Sequence, residues 1–148
     1  MPTTGSCGVF RAMCAMRTAA TCAVCLPAES VLAQVRAKAD VMCRPAGTLQ
    51  YDCTITLTNS RTNEPLAGVT LTIGADMPSM PMMHNVRPVK AEPGETPGTY
   101  RARLALEMHG DWALQLNLAG PLRDRVLRTL RFDPDRVMPA TKAPSHKH

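Results

Sequence analysis

Apolar residues in this chain recur with period two rather than with helical spacing. In "LQYDCTITLTN", Leu49, Tyr51, Cys53, Ile55 and Leu57 alternate with Gln50, Asp52, Thr54, Thr56 and Thr58. That is the pattern of a half-buried strand with threonines facing water. "VTLTIGA" repeats it with Val69, Leu71 and Ile73 on one face. "TYRARLALEM" places Tyr100, Ala102, Leu104, Leu106 and Met108 inward, with Arg101, Arg103 and Glu107 outward. A tight turn at "HGD" then leads, as a hairpin, into "WALQLNLAG", with Trp112, Leu114, Leu116 and Leu118 inward. "DRVLRTLRF" supplies a last strand with Leu130 and Phe132 in the core, and residues 37–43 an early one. "NSRTNEPLAG" is turn chemistry, and the Pro- and Gly-rich "VRPVKAEPGETPG" is a loop with one short edge strand. About seven short strands without an amphipathic helix predict an all-β chain, an immunoglobulin-like antiparallel β-sandwich.

Length and composition narrow this picture. The 148 residues suit one domain. Aromatics make up only 3%, so the core must be mostly aliphatic. The net charge of +5 is spread along the chain. No basic run is interleaved with aromatics, which argues against nucleic acid as a partner. Residues 1–33 read as a signal peptide or a disordered extension. Arg11 and Arg17 precede the weakly apolar "TAATCAVCL", and "SVLAQ" offers a small-residue cleavage site after Ala33. The apolar run is far shorter than the roughly 20 residues of a membrane span, so no stable span is expected. The β-sandwich then occupies 34–133 and a flexible tail 134–148, in a periplasmic or secreted protein.

This division changes the cysteine arithmetic. Cys7, Cys14, Cys22 and Cys25 would leave with the signal, and Cys43 and Cys53 would remain. They form either a disulfide suited to an oxidising compartment or two buried thiols. The Cys22–Cys25 CxxC lacks the βαβ setting of a redox motif.

The candidate chemistry lies in "ADMPSMPMMHNV", which carries Met77, Met80, Met82, Met83 and His84. Thioethers and imidazole are neutral donors suited to Cu(I). An extended backbone would aim Met80, Met82 and His84 to one side at i, i+2 and i+4. A polyproline II backbone would instead line Met77, Met80 and Met83 along one edge, about 9 Å apart. That arrangement suits packing on an apolar surface better than binding one metal. Met108 and His109, beside the "HGD" turn, are further candidate ligands. Core packing for Met108 and solvation for His109 are the competing readings. His146 and His148 form a tail "HKH" that could bind metal weakly. No nucleophile–base pair or Gly-rich phosphate loop is present, so the chain is not expected to be an enzyme.

Three elements in order carry a family resemblance: Met77-Pro78-Ser79-Met80, Gly98-Thr99-Tyr100 and Gly110-Asp111-Trp112. Together they resemble the YtkA-like and FixH-like families of exported β-sandwich domains, over about residues 50–132. The resemblance implies an envelope accessory domain, with copper-efflux or cytochrome oxidase assembly proteins as possible partners. It departs in two respects: FixH-like proteins usually carry a membrane helix, and the Cys43/Cys53 pair is not part of the family pattern. Two functions follow for test: a copper-binding domain that supports copper handling or oxidase assembly, or a metal-free interaction module of the same fold.

Overall fold

The computed structural model describes residues 35–84 and 86–140. The expected signal segment, its cleavage site, its CxxC, and the tail histidines His146 and His148 lie outside the described residues.

The strands are β1 (Ala37–Gly47), β2 (Gln50–Asn59), β3 (Thr70–Asp76), β4 (Val89–Lys90), β5 (Glu92–Pro93), β6 (Thr99–Ala105), β7 (Gly110–Ala119), β8 (Asp124–Phe132) and β9 (Val137–Pro139), the longer ones formed by the period-two segments. They make two antiparallel sheets, ordered β1-β2-β6-β5 and β4-β3-β7-β8-β9. The first order, and the second up to β8, reproduce the strand sequence of an immunoglobulin-like sandwich. The core lies between the inward faces. Ile55, Leu57, Leu71, Leu114, Leu116, Trp112 and Phe132 are fully buried there. No polar or charged side chain among the described residues is buried with them.

Four expectations change in the structure. The "VRPVKAEPGETPG" loop holds two short strands, because the chain changes sheet there. β4 pairs with β3, Ala91 is buried, and β5 pairs with β6. The "MHGDW" segment is not a hairpin, since β6 and β7 belong to different sheets. Met108 is not inward. The alternation ends at Leu106, whose N–H bonds Leu49 O, and the chain then crosses to the other sheet with Met108 40% exposed. Finally, paired structure continues past the boundary at residue 133, because Val137–Pro139 adds β9 to the end of β8.

Cys43 and Cys53 are direct cross-strand partners in β1 and β2 and form a disulfide. Their separation of 10 residues closes a small loop. Loop-entropy reasoning gives such a closure about 3 kcal/mol.

Two of the sequence motifs begin with a glycine whose backbone needs one. Gly98 has φ +78°, and a Cβ there would lie 2.8 Å from Pro65 Cβ and 2.9 Å from Leu57 O. That close approach delivers Tyr100, whose hydroxyl donates to Leu66 O (2.9 Å) and accepts from Val69 N–H (3.3 Å). The 66–69 loop is thereby tied to the core. Gly110 has φ +139°, and a Cβ there would meet Met77 Cε at 3.1 Å. Trp112 Nε1–H donates to Met108 O (3.1 Å), which fixes the crossover between β6 and β7.

Candidate functional site

The methionine segment joins β3 to β4 at the same end of the sandwich as the β6–β7 crossover. Asp76 starts it: its Oδ1 accepts from Met77 N–H (2.9 Å) and from Met82 N–H (3.3 Å). Met80 N–H then bonds Met77 O (3.0 Å), and Met83 N–H bonds Met80 O (3.3 Å). The backbone is neither extended nor polyproline II. It curls through successive turns with a three-residue step, and Met82 takes the left-handed conformation at φ 62°.

This curl sorts the predicted ligands. Met77 is buried, packed over Gly110. Met80 is 38% exposed, and with Met77, Met108 and His109 it lines one concavity whose wall continues to Asp111. Met82 and Met83 project into solvent at 92% and 75% exposure and do not line it. The set Met80, Met82 and His84 on one side of a strand is therefore not what forms. A strand would have aimed them together; the turns rotate Met82 away.

His84 also lies outside this group. Its ring rests on Trp112, with centroids 5.0 Å apart. Its Nδ1 pairs with Glu107 Oε2 at 2.7 Å, and its Nε2 is buried without a hydrogen-bond partner among the described residues. Packing and a carboxylate hold this histidine against the core.

His109 is held differently. Its Nδ1 lies 2.9 Å from the hydroxyl of Tyr51, which also donates to the carbonyl of Asp133 at 3.3 Å. The Tyr51 ring is buried edge-on against Phe132, with centroids 4.8 Å apart. Burial first, and then the Asp133 carboxylate, push the Tyr51 phenol above its ordinary value, so it stays protonated. Sequence reading did not find Tyr51 or Asp133. Tyr51 carries the signal of any inward strand residue, and nothing in the sequence links it to a histidine 58 positions away.

Met77, Met80, Met108 and His109 are the soft or borderline donors on the lining of the concavity. Three thioethers and one imidazole are neutral, soft-to-borderline donors, as Cu(I) prefers. Among the described residues no group of three or more His, Cys, Asp or Glu side chains could hold a metal. A hard cation such as Ca²⁺ or Mg²⁺ prefers several carboxylates, and among the described residues the lining offers one, Asp111. Asp111, on the wall, faces Arg131 at 3.5 Å.

Residues 46–117 match the model of the YtkA-like family. No curated protein and no solved structure gives a significant match. The matched span runs from the end of β1 into β7 and contains the methionine segment, Gly98, Tyr100, Gly110 and Trp112. The FixH-like half of the resemblance gains no support from it. Residues 46–117 are thus similar to the YtkA-like family, and they lie in a sandwich with the sheet order of an immunoglobulin-like domain, with the motif residues in structural roles.

Proposed function

We propose that this is a non-enzymatic envelope domain that binds Cu(I) and supports copper handling or oxidase assembly. The observation that carries the reading is the convergence of Met77, Met80, Met108 and His109 on one concavity, from the β3–β4 loop and the β6–β7 crossover. Met80, Met108 and His109 are the accessible donors, and Met77 forms the floor. A bound Cu(I) would be cargo, held by donors that keep their lone pairs in an oxidising space. The Cys43–Cys53 disulfide supports such a compartment. So does the chemistry of thioethers, which unlike thiols are not lost to disulfides.

A second reading is favoured by one observation, the high exposure of Met82 and Met83 beside the concavity. Exposed methionines of this kind suit an adaptable contact with a partner protein. A metal-free interaction module would use the same end of the sandwich.

Cu(I) titration of the full chain against a competing chelator separates the two. Met80→Ala with His109→Ala should abolish tight binding, while Met82→Ala with Met83→Ala should leave it intact. Wild type with no measurable Cu(I) affinity would remove the copper reading. Equal loss in both double variants would show that the concavity is not the site.

A further inference from the structure

The Tyr51–His109–Asp133 contact allows one arrangement of protons if both hydrogen bonds are made. A carbonyl oxygen only accepts, so the 3.3 Å contact to Asp133 O takes the single hydroxyl proton of Tyr51. The 2.9 Å contact between that hydroxyl and His109 Nδ1 must then draw its proton from the ring. A neutral imidazole carries one proton, so Nε2 is left with a lone pair. Nδ1 faces the buried phenol, and Nε2 lies on the side of the ring away from it, where His109 is exposed.

We propose that Tyr51 is a positioning residue for the metal site: its hydroxyl, relayed to the Asp133 carbonyl, holds His109 as the Nδ1–H tautomer and presents Nε2 as the ligand atom. The ligand role rests on the copper reading; the tautomer rests on the geometry alone. An imidazole free in water favours the opposite tautomer, with the proton on Nε2, so the protein must select this one. A metal-ligating histidine commonly has its other ring nitrogen fixed by such an outer partner, which sets ring orientation and donor strength. His84 offers the contrast within the same molecule. Its Nδ1 is likewise engaged, on Glu107, but its Nε2 is buried and does not reach the concavity.

The relay also explains why a tyrosine is placed where the strand pattern would accept any large apolar residue. Tyr51 is buried on the inward face of β2, two positions from Cys53. Its ring is fixed by Phe132 and its strand by the disulfide to β1. The hydroxyl therefore has little freedom, which is what orienting an exposed histidine requires.

The test begins without metal. In the ¹⁵N-labelled full chain, long-range ¹H–¹⁵N correlation of the imidazole rings at mildly alkaline pH reads each histidine's tautomer. His109→Gln identifies the signal. The expected wild-type result is Nδ1–H at His109, with Tyr51→Phe shifting it toward Nε2–H. Wild type with Nε2–H overturns the proposal, and so does a tautomer unchanged in Tyr51→Phe. If Tyr51→Phe does not fold, the wild-type tautomer decides alone. Cu(I) competition on the same proteins should show affinity falling roughly ten- to a hundred-fold in Tyr51→Phe, and an unchanged affinity overturns the positioning role. A chain that binds no Cu(I) yet shows Nδ1–H removes the copper reading and leaves the tautomer assignment standing. A chain that binds Cu(I) with Nε2–H at His109 does the reverse.

Discussion

β6 begins and ends beside a glycine motif, and the two ends are built differently. At its start, Gly98 presses against fixed backbone: a Cβ would lie 2.9 Å from Leu57 O and 3.1 Å from Leu66 N. The Tyr100 hydroxyl then closes the 66–69 loop with two hydrogen bonds to backbone. Beyond its end, Gly110 presses only against Met77 Cε, the tip of a flexible side chain. The nearby hydroxyl of Tyr51 reaches a histidine rather than serving only the backbone. One end is closed by groups that cannot give. The other is finished with thioethers and a ring that can adjust. A binding region is expected at the second kind of end, because ligand sites are drawn from the parts of a fold that can rearrange cheaply.

The sharpest way to break this comparison is Gly98→Ala. The left-handed φ and the backbone contacts leave the new methyl no room, so destabilisation of about 3–5 kcal/mol is expected by urea unfolding with the disulfide intact. Gly110→Ala should cost less, about 1–2 kcal/mol, since Met77 can change rotamer while the strained φ remains. Equal losses at the two glycines would show that the ends are equally rigid. Tyr100→Phe tests the first end without changing its shape. It leaves Leu66 O and Val69 N–H without their partner and should cost about 1–2 kcal/mol, with faster amide exchange at Val69. Met83→Ala at the second end should change stability by less than about 0.5 kcal/mol, as expected for an exposed side chain; a larger loss would mean the segment is packed in solution.

The smallest effect lies between the ends, on the outer face of the first sheet. Arg103 Nε donates to Asp52 Oδ1 at 2.7 Å, and this hydrogen bond, ahead of the simple charge attraction, holds the Asp52 carboxyl below its ordinary value. A lowered folded-state value means that the pair contributes its stability above the unfolded carboxyl's pKa. That contribution is lost as the pH falls through the folded one. The pair is exposed, so the contribution is slight and fades with salt. Arg103→Ala should move the Asp52 midpoint upward in a carboxyl NMR titration. An unmoved midpoint would mean that the pair does not form in solution.

The period-two alternation by itself determined most of the fold. Threonine and arginine faces alternate with Leu, Ile and Tyr faces, and a slip of one residue would invert every side chain. The inward positions of β2, β3, β7 and late β8 were therefore readable one by one, as was the all-β sandwich. The glycine motifs and the Met-Pro segment were readable as a family resemblance. Periodicity gave no warning of where it stops. Met108 continues the inward register in sequence, yet the chain has already left the sheet at Leu106, since the next strand belongs to the opposite layer. The pairing of Cys43 with Cys53 also needed the register of β1 on β2, because both residues fit a core equally well as thiols. The site was decided last and furthest from the sequence. Backbone periodicity offered two groupings of the donors from Met77 to His84, either Met80, Met82 and His84 or Met77, Met80 and Met83, and neither forms. The Asp76 side chain and two turn hydrogen bonds turned Met77 and Met80 toward Met108 and His109, and sent Met82, Met83 and His84 elsewhere. Contacts between residues so far apart in the chain leave no periodic trace, so only the folded structure brings Tyr51 to His109.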